Sequence, residues 1–434
     1  MKRVFIGTSL LLLVFAVAGL RSGRAQAGRA QHHGKDSARA AAKEKVLYSF
    51  TGRRKGGNPQ GPLTFDPAGD LYGAAISGGG NNPNCPSDEC GAIFELTPKS
   101  GSRWGNTLVY AFKGNRDGAG PNSVILDSAG NLYGTTYYGG KGECIGGCGY
   151  AFELTPTGGP EWSKSVLYEF NGREGEYPVT GLVFDPAGNL YGTVQGGDSG
   201  FGAVFELVRN GHGGWTQTIL KKFSGVDGDY PDSSLVLDAA GNVYGTTGWG
   251  GKGACQCGVV FELVRSEQGR WKEKVLHDFG GADGSAPYGV VFDDAGNLYG
   301  STLGGGKYNS GVVFELSPEP HGKWKEKILY AFSGGADGGG SVNGVILDAA
   351  GNLYGTTNDG GDLSCAPPSG CGVVFELIPS NKGPWKEKVL HVFTGGNDGN
   401  EPNAVIQDNA ENLFGTTFLG GPDDSGIAFE ITPQ

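Results

Sequence analysis

Short apolar runs separated by glycine-rich polar segments fill this chain, and one unit of the pattern returns seven times. In each unit an apolar run ends at Asp, a Gly-Asn turn follows, and a second run begins Leu-Tyr-Gly or a close variant. The runs are short and are bounded by turn residues, which predicts β-strands rather than helices. The first glycine position of the unit recurs at spacings between 53 and 61 residues, which indicates a repeat architecture.

The unit at residues 289–332 predicts four strands, which we label A (289–293), B (298–302), C (312–316) and D (325–332). Gly296 supplies the positive-φ position of the turn between strands A and B. Four short antiparallel strands in each of seven units predict an all-β, seven-bladed β-propeller built of four-stranded antiparallel blades.

The two ends of the repeat region predict how the ring closes. Residues 45–50 match strand D of the later units, whereas the last unit stops after its strand C at residues 427–431. We therefore expect residues 45–50 to join the last blade as its fourth strand, a 3+1 closure that removes two open sheet edges. A single propeller would then occupy residues 45–434.

The N-terminal segment has the pattern of a secretory signal peptide over residues 1–27. Lys2 and Arg3 precede an apolar stretch, and cleavage sites of the A-x-A type end at Ala18 and Ala27. Residues 28–44 are small, polar and basic, which predicts a flexible leader. These features predict a secreted or periplasmic protein with no membrane span after signal cleavage.

Composition and charge narrow the class of partner. Residues 1–45 hold nine Lys/Arg and two Asp/Glu, a net charge of +7, so the total of −11 leaves about −18 on the remainder. An acidic body argues against a nucleic-acid partner. The periodic placement of the 83 glycines favours many tight turns over disorder, and we expect a soluble monomer.

The repeated segments Gly-Asn-Leu-Tyr-Gly-Thr-Thr, Gly-Val-Val-Phe-Glu-Leu and Trp-Lys-Glu-Lys-Val-Leu make the chain from Lys45 to Gln434 resemble a known family. This family is the GloVer tandem repeat, named for Gloeobacter and Verrucomicrobia. The resemblance implies an exported bacterial repeat protein of uncharacterised biochemical role. It supplies no catalytic residue.

Propeller topology places the B–C and D–A loops on one face, and the sequence varies most in these loops. All eight cysteines lie in B–C loops. Local disulfides are the expected state in an exported protein, and thiolate metal binding is the alternative. The predicted pairs are Cys85–Cys90, Cys144–Cys148, Cys255–Cys257 and Cys365–Cys371.

The D–A loops repeat an acidic residue before glycine, and the first blade has Lys55 there instead. A ring of carboxylates at the channel mouth could hold Ca²⁺, although Asp-Gly is also an ordinary turn signal. We otherwise expect no cofactor. The acidic positions are Asp117, Glu174, Asp227, Asp283, Asp337 and Asp398.

Aromatic residues that vary between blades lie in or near the B–C loops and form a candidate platform for a carbohydrate ligand, together with Lys55. The alternative is that the rings pack over the glycines of their own loops. These aromatic residues are Tyr137, Tyr138, Trp249, Tyr308 and Phe418. The tryptophans that open strand D are periodic, so we interpret them as packing residues. We expect the glutamate repeated in every strand C to form a structural hydrogen bond or ion pair.

The six histidines are scattered, and no nucleophile elbow or phosphate-binding loop is present, which disfavours hydrolase triads and histidine–metal sites. The leading hypothesis is a binding or interaction module whose partner is a saccharide or a cell-envelope component. The alternatives are a carbohydrate-active enzyme, a hydrolase or lyase that uses two carboxylates, and a purely structural envelope protein.

Overall fold

A computed structural model describes residues 42–52, 54–80, 85, 90–100, 103–380 and 383–433 of the chain. The predicted signal peptide and most of the predicted leader lie outside these residues. Within them the structure contains β-strands and two short 3₁₀ turns, Asn115–Asp117 and Pro320–Gly322.

The strands form seven antiparallel sheets, each with the order A, B, C, D. Blade 1 consists of β2 (Gly57–Phe65), β3 (Leu71–Ser77), β4 (Ala92–Lys99) and β5 (Arg103–Ala111). Blade 2 consists of β6 (Ala119–Leu126), β7 (Leu132–Tyr138), β8 (Tyr150–Pro156) and β9 (Trp162–Glu169). In blade 3, strand A is divided into β10 (Glu176–Pro178) and β11 (Val183–Phe184), and β12 (Leu190–Gly196), β13 (Ala203–Arg209) and β14 (Trp215–Lys222) follow.

Blades 4 to 7 continue the same order. Blade 4 has β15 (Val236–Leu237), β16 (Val243–Thr247), β17 (Val259–Arg265) and β18 (Trp271–Asp278), and blade 5 has β19 (Ser285–Phe292), β20 (Leu298–Gly304), β21 (Val312–Glu319) and β22 (Lys323–Ala331). Blade 6 has β23 (Gly339–Leu347), β24 (Leu353–Asp359), β25 (Val373–Ile378) and β26 (Lys386–Val392). In blade 7, strand A is divided into β27 (Asn400–Pro402) and β28 (Ile406–Gln407), and β29 (Leu413–Leu419), β30 (Ile427–Thr432) and β1 (Lys43–Ser49) complete the sheet.

Neighbouring blades meet closely along their A and B strands, which places strand A on the inside of the ring. Side chains of strand A carry hydrogen bonds across this boundary. Asn122 Nδ2 donates to the Pro178 carbonyl of the next blade at 2.7 Å, and Asn403 Nδ2 donates to the Pro59 carbonyl at 2.8 Å. The second of these bonds joins blade 7 to blade 1, so the ring is closed.

The predicted 3+1 closure is confirmed. Strand β1 pairs antiparallel with β30, with Lys45 opposite Glu430, and the Lys45 Nζ lies 2.9 Å from the Glu430 carboxylate. The strand begins at Lys43, two residues before the start expected from the sequence, because Lys43 also pairs with Thr432. The last blade therefore obtains its strand D from the start of the described chain.

The repeated Asp-x-x-Gly-Asn segment is a self-contained hydrogen-bonded hairpin. In blade 5 the Asp293 Oδ1 accepts from the backbone amides of Ala295 at 2.9 Å and Asn297 at 2.8 Å. The Asp293 Oδ2 accepts from the side-chain amide of Asn297 at 2.8 Å and from the Tyr299 hydroxyl at 3.2 Å. An Asp side chain that bonds its own following backbone stabilises a turn, which explains why this segment recurs.

The glutamate of strand C has a hydrogen-bonding partner in every blade, as the sequence predicts. In blade 2 the Tyr133 hydroxyl donates to Glu153 at 2.6 Å, and the same bond recurs in four other blades. In blade 5 Ser317 and Lys327 hold Glu315. In blade 7 phenylalanine replaces the tyrosine, and Lys45 holds the glutamate. These seven carboxylates are structural.

The glycine of Leu-Tyr-Gly is required by its contact with strand C. A Cβ atom on Gly300 would lie 2.5 Å from Cζ of Phe314, a distance that real Cβ atoms do not adopt. Phe314 is fully buried, so its ring has no room to move away. The equivalent glycine meets the strand-C phenylalanine in the other six blades.

We expect Gly300→Ala to lower the free energy of unfolding by about 1–3 kcal/mol, the usual cost of overpacking a core. Gly304→Ala, at the end of the same strand, is the matched control because a Cβ there meets no atom within 4 Å. Urea denaturation of the two variants beside the wild type measures the difference. Equal stability of the two variants would show that the contact with Phe314 is not the reason why glycine occupies position 300.

Candidate functional site

The four predicted cysteine pairs are all disulfide-bonded, and no cysteine is free. Their Cα–Cα distances lie between 5.0 and 5.8 Å. Disulfides are typical of proteins folded in an oxidising compartment. Each disulfide joins two residues of the same B–C loop and therefore restrains the backbone of that loop.

Three tyrosines from blades 2 and 3 pack together on this face. The rings of Tyr137 and Tyr177 are stacked, with centroids 4.8 Å apart and an interplanar angle of 16°. Tyr138 meets Tyr137 edge-on at 4.7 Å and Tyr177 at 6.1 Å. All three side chains are only partly buried, so the group presents aromatic surface to solvent.

Tyr230 of blade 4 extends this group across the next blade boundary. The Tyr137 hydroxyl donates to the Gln195 side chain at 3.4 Å, and Gln195 also bonds the hydroxyl of Tyr230. Burial, followed by its tyrosine neighbours, raises the pKa of Tyr137, so its hydroxyl stays protonated. We call Tyr137, Tyr138, Tyr177 and Tyr230 the tyrosine cluster.

Tyr177 and Tyr230 occupy equivalent positions, each directly before a proline near the start of its blade, and both have left-handed backbones, with φ of 56° and 62°. The same position is Gly120 in blade 2 and Gly340 in blade 6, with φ of 64° and 72°. Asn58, Ala286 and Glu401 have the same left-handed backbone, with φ between 51° and 55°. The conformation therefore belongs to the repeat, and blades 3 and 4 differ from the others in carrying a tyrosine ring there.

The disulfide loop Cys144–Cys148 positions one side of the cluster. The Tyr177 hydroxyl donates to the Ile145 carbonyl at 3.1 Å, and the Tyr177 amide donates to the Cys148 carbonyl at 3.0 Å. Tyr138 lies against Gly146, where a Cβ would be 2.8 Å from its ring. The bridge thus fixes the loop on which two of the four rings rest.

A cleft of about 480 Å³ adjoins the cluster at Tyr138. Its walls come from the D–A loop that carries Asn115 and Arg116 and from the B–C loop that carries Gly140 and Gly146. The lining combines one aromatic face, one cationic side chain and exposed backbone groups. Concave sites with a few polar groups beside an aromatic surface are the usual form of small-ligand sites.

Asp232 lies two residues after Tyr230, in the segment that leads into strand β15 of blade 4. Its charge acts on both Tyr230 and Tyr288 of the next blade. Burial raises the pKa of Asp232 to about 7, and its Oδ1 is buried without a hydrogen-bond partner. A Cβ on Gly248 would lie 3.0 Å from the other carboxylate oxygen, which is a tight contact.

The structure brings together only part of the sequence-predicted platform. Tyr137 and Tyr138 belong to the cluster. Trp249 is 55% exposed and pairs through its backbone with Asp229, next to Tyr230. Tyr308 is 50% exposed, beside the Lys307 ammonium.

Phe418 of blade 7 is half-buried, and its carbonyl accepts from Asn58 at 3.0 Å. Lys55 donates to the Asn106 carbonyl at 2.8 Å. In the described part of the chain, Tyr308, Phe418 and Lys55 have no recorded contact with the tyrosine cluster. Their role in ligand binding stays a prediction.

Sequence reasoning missed Tyr177, Tyr230, Gln195 and Asp232. A Tyr-Pro pair in two successive D–A loops, at residues 177–178 and 230–231, was the available signal. This signal lies in the D–A loops, whereas the predicted platform consists of aromatic residues in or near the B–C loops. Strands A and B of neighbouring blades meet in space, so the two loop sets share one surface.

The aspartates of the D–A loops contact residues of strand D, the strand farthest from the inside of the ring. Asp117 accepts from Lys164 at 2.6 Å and from Tyr110 at 2.7 Å. The other four candidate ligands have corresponding partners: Asp227 with Lys221 and Ser224, Asp283 with His277 and Gly280, Asp337 with Tyr330 and Ser333, and Asp398 with Thr394 and His391.

These bonds lie within turns and between strands, as expected if the aspartates have a structural role. Among the described residues the one group of three potential metal ligands is Cys144, Cys148 and Glu176, and its sulfurs form a disulfide. A Ca²⁺ ion at the five aspartates stays a prediction.

Glutamates of strand D face these aspartates across three blade boundaries. Burial, and then Asp283, raises the pKa of Glu326 to about 7, and burial, and then Asp337, does the same for Glu387. Glu44 of the closing strand has a pKa of about 6. One oxygen of each glutamate is buried without a partner. Their ionisation therefore disfavours the folded state.

The double variant Glu326→Gln and Glu387→Gln should melt about 1–3 °C above the wild type at pH 8 and at the same temperature at pH 5. A carboxyl whose pKa is raised by folding binds its proton more tightly in the folded state. Its stabilising contribution is complete below about pH 4.5 and is lost as the pH rises through 7. Thermal denaturation at both pH values measures this.

Glu376→Gln is the control, since this carboxylate has the Lys388 ammonium at 3.2 Å and a tyrosine partner. It should not raise the melting temperature at pH 8. A double variant that behaves like Glu376→Gln would contradict the expected repulsion.

No helix in the described part of the chain has the length and apolar character needed to cross a bilayer. A search of curated proteins found no match.

Solved structures of low identity match the chain. They include a protein of unknown function from Dyadobacter fermentans (13% identity, TM-score 0.44, covering 80% of this chain and 97% of that chain) and a puromycin-hydrolysing peptidase from Mycobacterium tuberculosis (11%, 0.49, 88% and 52%). A luciferin-regenerating enzyme also matches (13%, 0.42, 90% and 95%). The chain thus spans about half the length of the peptidase. The fold assignment rests on the sheet topology given above.

One family model matches the chain in three overlapping stretches, residues 25–256, 144–367 and 236–434. Together they cover every blade. The chain therefore belongs to the Gloeobacter/Verrucomicrobia repeat family.

Proposed function

We propose that this protein is an exported binding module that holds a saccharide or a saccharide-bearing component of the cell envelope on the face of the B–C and D–A loops. The observation that carries the proposal is the stacked pair Tyr137–Tyr177, half-exposed at the junction of two blades. Flat aromatic faces offer apolar contact to the C–H faces of a sugar ring, and tyrosine hydroxyls can bond sugar hydroxyls at the same time.

The polar groups around the stack suit a polyhydroxylated ligand. Gln195 and the tyrosine hydroxyls supply donors and acceptors, and the glycine-lined cleft beyond Tyr138 supplies backbone groups. Hydroxyl-rich ligands need several such groups at fixed positions. The disulfide loop under Tyr138 and Tyr177 keeps the rings in place before binding, which reduces the ordering cost of association.

Export is part of the proposal. The four disulfides agree with an extracellular or periplasmic location, as does the signal-like segment at residues 1–27. Saccharides of the cell envelope are abundant in that location. Detection of the mature protein in periplasmic or culture fractions, with its new N-terminus sequenced, tests this part.

A glycan array combined with a reducing-sugar release assay on the purified protein tests the function. Binding of one or more glycans without release of reducing ends is the expected result. Turnover that is lost on substitution of a single carboxylate would instead establish a carbohydrate-active enzyme. No binding and no turnover would leave a structural role in the envelope and overturn the proposal.

A further inference from the structure

Three carboxylates around the tyrosine cluster differ from the other D–A loop acids in their charged neighbours. Glu176 precedes Tyr177 in the chain, and Asp229 and Asp232 flank Tyr230. In the described part of the chain no lysine or arginine forms a recorded ion pair with any of these three carboxylates. This contrasts with the D–A loop residues Asp117 and Asp227, each of which holds a lysine.

Asp232 is the most constrained of the three. Its Oδ1 is buried and accepts no hydrogen bond, whereas the side chain as a whole is only partly buried. A buried acceptor without a donor is costly, so such a group in a native structure calls for an explanation. A cationic ligand at the accessible side of this carboxylate would compensate its charge.

The neighbours of Asp232 define what kind of donor fits. The charge of Asp232 acts on Tyr230 of blade 4 and on Tyr288 in strand β19 of blade 5. Aromatic faces beside a carboxylate attract cations, because the ring face and the carboxylate are both negative. An ammonium group has three donors and no acceptor, which matches an acceptor-only site.

Among the described residues, no lysine or arginine forms an ion pair with Asp232. Arg116 lines the cleft on the Tyr138 side of the cluster. The body of the chain carries about −18 by the count given above, so its field attracts positively charged ligands.

We propose that the ligand of the tyrosine cluster is a saccharide with a free amino group, whose ammonium binds Asp232 while its ring stacks on the tyrosines. This inference rests on the proposed function and specifies its ligand class. The amino group would lie between Tyr230 and Tyr288. Glu176 and Asp229 would add to the attraction without direct contact.

Two oligosaccharides of equal length, one of N-acetylglucosamine and one of its deacetylated form glucosamine, test the inference by calorimetry with the full-length exported protein at pH 7. The deacetylated form should bind at least tenfold tighter. Asp232→Asn should reduce this ratio to within twofold of unity while the acetylated form keeps its affinity within threefold. Asparagine has nearly the same shape, and its melting temperature confirms the fold.

Asp198→Asn is the matched control. Asp198 lies in the B–C loop of blade 3, is 62% exposed and pairs with Lys222 at 3.7 Å. It removes one negative charge from the same face, so an unchanged tenfold ratio in this variant shows that Asp232 acts locally. A ratio that falls as much in Asp198→Asn as in Asp232→Asn overturns the assignment to Asp232.

Other outcomes separate the two proposals. Equal or tighter binding of the acetylated form, or array binding confined to saccharides without amines, overturns the amino-sugar inference and leaves the saccharide-binding function standing. Failure to bind any saccharide overturns both.

Discussion

A chain that lacks residues 1–50 should fail to fold into a soluble protein, whereas a chain that lacks residues 1–41 should fold. The difference between the two truncations is strand β1 with Phe50, the fourth strand of blade 7. Without it the edge of β30 loses its partner, and an unpaired edge strand is a template for aggregation.

The magnitude of the loss follows from what β1 buries. Leu47 is 6% exposed and Phe50 is fully buried, and the Phe50 ring meets the Phe94 ring of blade 1 at 4.8 Å. Burial of two such side chains contributes roughly 3–6 kcal/mol, before the backbone bonds are counted. A typical protein is stable by only about 5–15 kcal/mol.

Both truncations should be secreted with the same signal sequence and compared by soluble yield, circular dichroism and gel filtration. Phe50→Ala in the full chain gives a graded test, with an expected loss of about 3–5 kcal/mol in urea denaturation. A soluble, cooperatively melting chain without residues 1–50 would show that closure is dispensable.

Tyr177→Gly should weaken saccharide binding about 10- to 30-fold, since loss of a central aromatic contact at an interface typically costs 1–2 kcal/mol or more. The substitution removes the ring that stacks on Tyr137. It should leave the fold intact, because blades 2 and 6 have Gly120 and Gly340 at the equivalent left-handed position. Calorimetry with the best array ligand measures the change.

Ala286→Gly is the matched control, because Ala286 occupies the same position in blade 5 with φ of 53° and carries no aromatic ring. It should bind like the wild type. Tyr308→Ala should change affinity less than twofold if the site is the cluster alone. A large loss in Tyr308→Ala with none in Tyr177→Gly would move the site to the platform expected from the sequence.

Much of the fold could be predicted from the sequence because the repeat imposes the same local chemistry seven times. The Asp293 hairpin closes through bonds to its own backbone, so it forms wherever its residues occur. The alternation in strand C places Phe314 in the core and Glu315 at a polar contact. Two cysteines a few residues apart in one loop favour a local disulfide, and the four predicted disulfides form.

The site was harder to predict because its members come from three blades. Tyr137 and Tyr177 are separated by most of one repeat unit, and their stacking depends on how strand B of one blade meets strand A of the next. The left-handed conformation of Tyr177 and Tyr230 has no sequence signal of the kind that glycine gives. In the sequence, Asp232 cannot be distinguished from other acidic loop residues, because its burial is known only from the structure.

The sequence by itself determined the number of blades, the strand order, the disulfide pairs and the closing role of the N-terminal strand, since each depends on residues close in the chain or on repetition. Only the tertiary structure decided that Asp117 pairs with Lys164 of the following blade, and that four tyrosines gather near Asp232, whose Oδ1 has no hydrogen-bond partner. Those arrangements depend on contacts between blades, and the packing of one blade on the next sets them.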